Sequence, residues 1–414
     1  MESTLKNQEV PVSLSPSSAG SRPFASTRVA SVDAFRGFVM LLMMAEVIQF
    51  HKVARAFPES TFWEIISFHA NHVSWSFGSL HDIIQPAFTF LVGVAFPFSM
   101  ASRIKRGGTK KSMLIHAVKR SLILIFLGVF LRSIDAEQTY FTFEDTLSQI
   151  GLGYTFLVIL GFYSQKVQLW ALIIILVGYW LAFALYPLPA PGFDYTTVGQ
   201  IPDWSYNAQG FAAHWNLNAN PGFAFDRWFL NLFPRESPFL FHRGAYYTLN
   251  FIPTLGTMIL GSFAGNYIKS ATPKMKKLKF FIITGVALIV TGYVLHVTGI
   301  NPVVKRIWTP AWVLWSGGIC FLFLALFYGI IDMAGWKKWS FFLIVIGSNS
   351  IAAYVLADGG MRGFINSSLH THLGQNYDKI LGGPYATIIN GTLVLFLMWL
   401  ILYWMYKKKI FIKI

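Results

Sequence analysis

The chain has 414 residues, 54% hydrophobic and only 12% charged, with a formal net charge of +15 and a mean hydropathy of +0.51. A soluble domain of this length carries roughly twice that charged fraction, so composition excludes an ordinary water-soluble globule. The single cysteine, Cys320, excludes a disulfide framework and a cysteine-based metal centre.

Residues 1–28 are rich in Ser and Pro and hold no apolar core of the signal-peptide kind, so they are expected to be a disordered cytoplasmic tail. Ten apolar stretches follow, each approaching the ~20 residues that carry a helix across a bilayer. They are 31–49, 82–101, 112–131, 148–162, 169–186, 248–268, 280–298, 311–331, 339–357 and 388–406. In lipid a helix closes its own backbone hydrogen bonds, so runs this long predict an all-α polytopic membrane protein over 29–406. A basic cytoplasmic tail, 407–414, closes the chain. Lys and Arg cluster at 103–120, 269–279, 337–338 and 407–413, alternating with acidic segments such as 132–147. The positive-inside rule therefore places both termini in the cytoplasm, and the net charge reads as topology, not nucleic-acid binding.

Polar groups inside or beside the spans are costly and are the natural candidates for function. The first span opens Ser31-Val32-Asp33-Ala34-Phe35-Arg36-Gly37, and the three-residue spacing puts Asp33 and Arg36 on one helix face. Either the pair neutralises itself, or Arg36 faces a cavity and meets an anionic ligand. Glu46, near the outer end of the same span, needs a partner, a proton or a wet cavity. The outer stretch 50–81 carries His51, His69, His72 and His81, and the second span begins His81-Asp82-Ile83-Ile84-Gln85. His72, His81, Asp82, Gln85 and Glu46 thus belong at one membrane boundary. A carboxylate that orients an imidazole is the ordinary equipment of general-base chemistry. A metal held by the four histidines is the other reading; their spacing fits no standard ligand pattern, and no metal is expected.

The next inner loop carries Arg103, Lys105, Arg106, Lys110 and Lys111, with Lys119 and Arg120 on the helix beyond. This is either the inside-positive signal itself, touching anionic lipid, or a docking surface for a phosphorylated ligand. Residues 187–247 form a long Pro- and Trp-rich outer insertion with Trp204, Trp215 and Trp228. A loop of that length is functional or carries its own small structure, and its tryptophans serve equally well as interfacial anchors.

These residues also carry a family resemblance. SVDAFRG at 31–37, HVSWSFGSLHDIIQPAFTFLVGV at 72–94, RSLILIFLGV at 120–129 and LSQIGLGYTF at 147–156 resemble, in order, the motifs of the heparan-α-glucosaminide N-acetyltransferase-like transmembrane acyltransferases, including bacterial members. FDRWFL at 225–230, LNFIPTLGTMILGSFAG at 249–265, NPVVKRIWTPAWVL at 301–314 and GSNSIAAYV at 347–355 extend the likeness over roughly 29–405. The resemblance implies an enzyme that moves acetyl from cytoplasmic acetyl-CoA, its co-substrate, to an acceptor across the membrane. The family's essential histidine, in H-x-S-W, falls on His72, and its aspartate at the head of the next helix on Asp82. Glu46 joins them as a catalytic candidate beside Val47, near where the lysosomal members have an Asn. CoA is expected at Arg36, Arg103, Lys105, Arg106, Lys110 and Arg120, and the acceptor at Ser74, Trp75, His81 and Gln85. The lumenal domain and extra helix of the lysosomal members have no counterpart ahead of residue 31. The differences fall on the acceptor side, and the expected acceptor is an amino sugar or glycan hydroxyl of a cell envelope, met at a bacterial inner membrane. Membrane lipid is a further expected partner, and a homodimer is compatible with the sequence. A transporter or flippase of a small or lipid-linked substrate is the alternative reading; it calls for inverted repeats, which the sequence does not display.

Overall fold

Apolar runs without interior charges must close their hydrogen bonds locally in lipid, and the computed structural model, which describes residues 29–201 and 203–412, is helical accordingly. The expected tail at 1–28 and the last two residues of the basic tail lie outside the described residues. The helices are α1 (Ala30–Met44), α2 (Phe50–Ala56), α3 (Thr61–His69), α4 (Ile84–Lys105), α5 (Lys110–Arg132), α6 (Thr146–Leu160), α7 (Gln165–Ala184) and α8 (Pro221–Phe229). They continue with α9 (Phe251–Lys269), α10 (Lys274–Val297), α11 (Pro310–Phe327), α12 (Phe341–Gly347), α13 (Ser350–Asp358), α14 (Met361–Leu373) and α15 (Ala386–Lys407).

Six of these segments are long and apolar enough to cross a membrane: α4 with the turn before it, α5, α7, α10, α11 with the π-turn Tyr328–Met333, and α15 with the turn before it. A bent pair, α12 with α13, makes a seventh if it is one span. Ten equivalent spans are thus more than length and composition support. Three of the expected stretches fall on α1, α6 and α9, helices of 15, 15 and 19 residues. Their shortfall has a packing reason. α9 buries Thr254, Thr257 and Ser262 against protein rather than lipid, which lowers its hydropathy without exposing a polar group to hydrocarbon. α7, α10 and α15 form an outer layer, most of whose surface is exposed and apolar.

Inner helices approach closely where glycine permits. A Cβ on Gly93 of α4 would stand 2.0 Å from the Met258 carbonyl oxygen, and one on Gly261 of α9 would stand 2.0 Å from that of Phe90. The two backbones are in contact along small residues, the usual means of helix association in lipid.

The stretch expected as one span at 339–357 is two helices bent by 69° at Ser348-Asn349. Asn349 explains the break. Its Nδ2 donates to the Ile410 carbonyl at 3.1 Å, and its Oδ1 accepts from the Ile412 N–H at 3.1 Å, so the side chain is engaged by the C-terminal segment. The 187–247 insertion carries its own structure: α8, two short 3-10 turns before it and one after it, and a buried aromatic cluster of Trp75, Tyr179, Phe183, Trp215 and Tyr247. Trp215 is thereby a core residue, whereas Trp228 is exposed.

Candidate active site

The loop between α3 and α4 is shaped around one carboxylate. Asp82 lies in the 3-10 turn His81–Ile83, and its Oδ2 accepts the backbone N–H of Val73 and of Ser79, both at 3.0 Å. Ser79 Oγ donates to the Asn71 carbonyl, tightening the same loop. His72 is thereby held over Asp82, with Nδ1 2.7 Å from Oδ1. A second loop meets this one: Phe77 N–H donates to the Val303 carbonyl at 2.8 Å, and Ser76 and Phe77 bridge to Val304. That junction delivers Lys305, 4% exposed, whose Nζ donates to Asp82 Oδ1 at 3.1 Å. Arg306 fixes the junction by donating to the carbonyls of Gly244 and Val73.

Donor capacity settles the tautomer. Lys305 Nζ lies 3.3 Å from His72 Nδ1, but an ammonium and an N–H both donate, so that approach is a neighbour contact. Asp82 Oδ1 accepts from both, which places the neutral ring's proton on Nδ1 and its lone pair on Nε2. Partial burial and the Lys305 charge depress the His72 pKa, outweighing the opposing pull of Asp82. His72 is therefore neutral at pH 7 and able to accept a proton.

His81 packs edge-on to His72, ring centroids 4.4 Å apart, and its Nε2 meets Glu46 Oε1 at 3.0 Å. Arg362 approaches the other Glu46 oxygen at 3.9 Å. Glu46, His72 and His81 form a wall between two cavities. One, of about 630 Å³, is lined also by Leu42, Phe50, Ile65 and Ile66 and by His51, His69 and Arg362. The other, of about 390 Å³, is polar, with Gln85, Arg132, Glu144, Asp145, His242 and Lys305. Burial, then Arg306 and Arg132, push His242 down to about 4, so it is uncharged at neutral pH. Burial raises Glu144 and Asp145 above their ordinary values.

A third cavity, of about 530 Å³, runs toward the Lys105 end of α4 and is lined by Arg36, Arg103, His116 and Arg120 with no carboxylate among its lining residues. Arg120 stacks on Tyr154, its guanidinium carbon 4.5 Å from the ring centre, and donates to the Tyr154 hydroxyl. Arg103 meets His116 at 2.8 Å, and Arg36 pairs with Asp33 at 3.3 Å. Neighbouring residues wall this cavity and the polar one: Phe88 with Gln85 on α4, Leu147 with Thr146 on α6, Ile351 with Tyr354 on α13. The broken helix α12–α13 thus contributes to both chambers.

The sequence-derived candidates divide cleanly. His72, Asp82, Glu46, His81 and Gln85 converge. Ser74 is exposed on the loop, and Trp75, 4% exposed, is spent on the aromatic core. Arg36, Arg103 and Arg120 share a cavity, whereas Lys105, Arg106 and Lys110 lie exposed at the α4–α5 turn, Arg106 donating to Ser102 Oγ. Sequence reasoning missed Lys305, Arg132, His242 and Arg362 as site residues. Lys305 carried a signal: with Arg306 it makes a pair of cations flanked by Val304 and Ile307, in a segment where the positive-inside rule expects few.

The fold and site define a polytopic helical membrane protein in which an imidazole–carboxylate–ammonium group faces two chambers and an arginine-lined cavity lies beyond. No family model matches the chain. It is 26% identical over 436 residues to heparan-alpha-glucosaminide N-acetyltransferase of Homo sapiens, covering 94% of this chain, and 25% identical over 439 residues to that of Mus musculus, covering 95%. The chain spans 60% and 61% of the length of these relatives. It is a distant homologue, over nearly its own full length, of the heparan-alpha-glucosaminide N-acetyltransferase family.

Proposed function

We propose that the chain is an integral-membrane acetyltransferase that passes acetyl from acetyl-CoA, taken at the Arg36–Arg103–Arg120 cavity, to an amine or hydroxyl of a sugar or glycan beside His72. In this reading all ten expected stretches lie within the membrane, both termini are cytoplasmic, and the His72 end faces outward, in a bacterial inner membrane. The observation that carries it is His72 in the lining of two chambers, one of which is walled by near neighbours of an arginine cavity with no carboxylate in its lining. Arginine is suited to phosphate oxygens, of which CoA has several, and the guanidinium on Tyr154 is preorganised for that contact.

The chemistry balances without a metal. The acceptor heteroatom attacks the thioester carbonyl carbon, the C–S bond breaks, and the acceptor proton passes to His72 Nε2 and on to the CoA sulfur. If Nε2 attacks first, the C–S bond breaks as the N–C bond forms and CoA leaves as thiolate. The acceptor then attacks the acetyl carbon, the N–C bond breaks, and the acceptor's proton ends on the CoA sulfur. Asp82 holds the ring's tautomer and stabilises positive charge forming on it. Lys305 keeps Asp82 ionised by pairing with it in a buried setting.

The test is transfer of labelled acetyl from acetyl-CoA to a panel of amino sugars by the purified protein in lipid nanodiscs, with His72→Ala as control. Transfer lost in that variant supports the reading; undiminished transfer removes His72 from the reaction. One observation favours a transporter or flippase, the 69° break of α12–α13. Among the described residues one pair is broken, where an inverted repeat would supply two. Substrate flux across vesicles without acetyl-CoA consumption would decide for that alternative.

A further inference from the structure

His72 has two chambers beside it, and a transferase needs only one for its donor. Of the two, the polar chamber of about 390 Å³ is the one walled by near neighbours of the arginine cavity's lining, through Gln85, Thr146 and Tyr354. A donor reaching His72 from that cavity occupies the polar chamber. The acceptor is left the chamber of about 630 Å³ on the other side of the Glu46–His72–His81 wall.

That chamber is ill matched to a bare sugar. Besides the polar groups at His72, its lining includes Leu42, Phe50, Ile65, Ile66 and Leu80, apolar surface that a bare sugar leaves uncovered. The apolar surface does not stop there. α3 buries none of its residues, and Phe62, Ile65 and Phe68 are 63%, 54% and 53% exposed. At 100° per residue these side chains, with Ile66, fall within one half of α3, which Thr61 and His69 share, while Glu64 and Ser67 fall on the other half. Ile65 belongs to both the chamber and the exposed face, so apolar surface is continuous from the reactive wall to the outside of the protein. An exposed, mostly apolar face on a short helix beside a membrane boundary suits contact with acyl chains.

We infer that the acceptor is amphiphilic: an amine- or hydroxyl-bearing sugar head placed at His72, joined to an apolar tail that leaves the chamber over Ile65 and along α3 into the outer leaflet. This rests on the acetyl-transfer reading and names its acceptor class.

The experiment compares glucosamine with dodecyl glucosaminide, the same head with and without a tail, in nanodiscs with labelled acetyl-CoA. In parallel, a dodecyl glucosaminide bearing a diazirine at the tail end is photolysed and the labelled peptide located. The tailed sugar is expected to have a KM lower by about 10-fold or more, since several methylenes leave water, with kcat little changed. The double variant Phe62→Ser/Phe68→Ser, at exposed positions that do not line the chamber, is expected to erase that advantage while leaving glucosamine kinetics unchanged. Crosslinks are expected within Thr61–His69. Equal KM for both sugars, or crosslinks elsewhere, overturns the inference while acetyl transfer to glucosamine still upholds the reaction. Specific crosslinking to α3 without transfer to either sugar upholds the amphiphile site and overturns the reaction instead. A double variant that slows both sugars equally makes α3 structural and also overturns the inference.

Discussion

The two ends of α4, about 33 Å apart for a helix of 22 residues, handle charge in opposite ways. At the His81 end cations and carboxylates are matched: Lys305 with Asp82, His81 and Arg362 with Glu46. Toward the Lys105 end Arg36 is paired with Asp33, but the cavity also presents Arg103 and Arg120, and no carboxylate is among its lining residues. Matched charges hold a ring in one orientation and suit a proton-transfer site; a surplus of one sign suits a polyanion arriving from water. The difference is what the proposed function rests on when it puts the anionic donor at one end and the reacting centre at the other.

Four substitutions break or sharpen that contrast. The largest effect is expected from His72→Ala, which removes the only imidazole oriented by Asp82; kcat should fall by about 10³-fold or more, measured by acetyl transfer. Asp82→Asn comes next. It leaves Lys305 as a buried unpaired cation, so a loss of about 3–5 kcal/mol in stability, read as a lowered melting temperature in detergent, should accompany a fall in kcat. At the other end Arg120→Gln removes a guanidinium already held in place by Tyr154; the KM for acetyl-CoA should rise about 10-fold, with kcat nearly constant. Similar losses of kcat at both ends would dissolve the contrast.

The smallest effect is a shift in pH dependence. A general base works when unprotonated, and His72 is depressed, so activity should rise with pH along a limb lying below the ordinary imidazole value. Lys305→Met removes a neighbouring positive charge that contributes to the depression, which raises the His72 pKa and moves that limb to higher pH. A limb that stays put would mean that Lys305 acts through the fold alone. All four tests keep the lipid and acceptor constant.

Much of the architecture is legible in one dimension because lipid enforces it. Long apolar runs must be helices, and the strongest of them are the six that qualify as spans. Polar side chains beside the second span place His72, His81, Asp82, Gln85 and Glu46 at one boundary, and the family resemblance picks His72 and Asp82 from among them. Trp75 was misread. Its motif neighbours are at the site, but its indole packs with Tyr179, Trp215 and Tyr247, a cluster assembled from distant segments. The 339–357 stretch reads in sequence as one span, because the Asn349 contacts at its bend are with Ile410 and Ile412, some sixty residues on.

The sequence by itself determined that the chain is a helical membrane protein, which ends of its helices carry cations, and which histidines and carboxylates belong at one boundary. These follow from hydropathy, charge sidedness and short-range spacing. Only the tertiary structure decided that Lys305 completes the His72–Asp82 group from 223 residues away, that three arginines share one cavity, and that His72 stands between two chambers. The reason is physical: a buried ion pair and a cavity wall are made by helices that meet in space, and in lipid that meeting is set by glycine contacts such as Gly93 against Gly261.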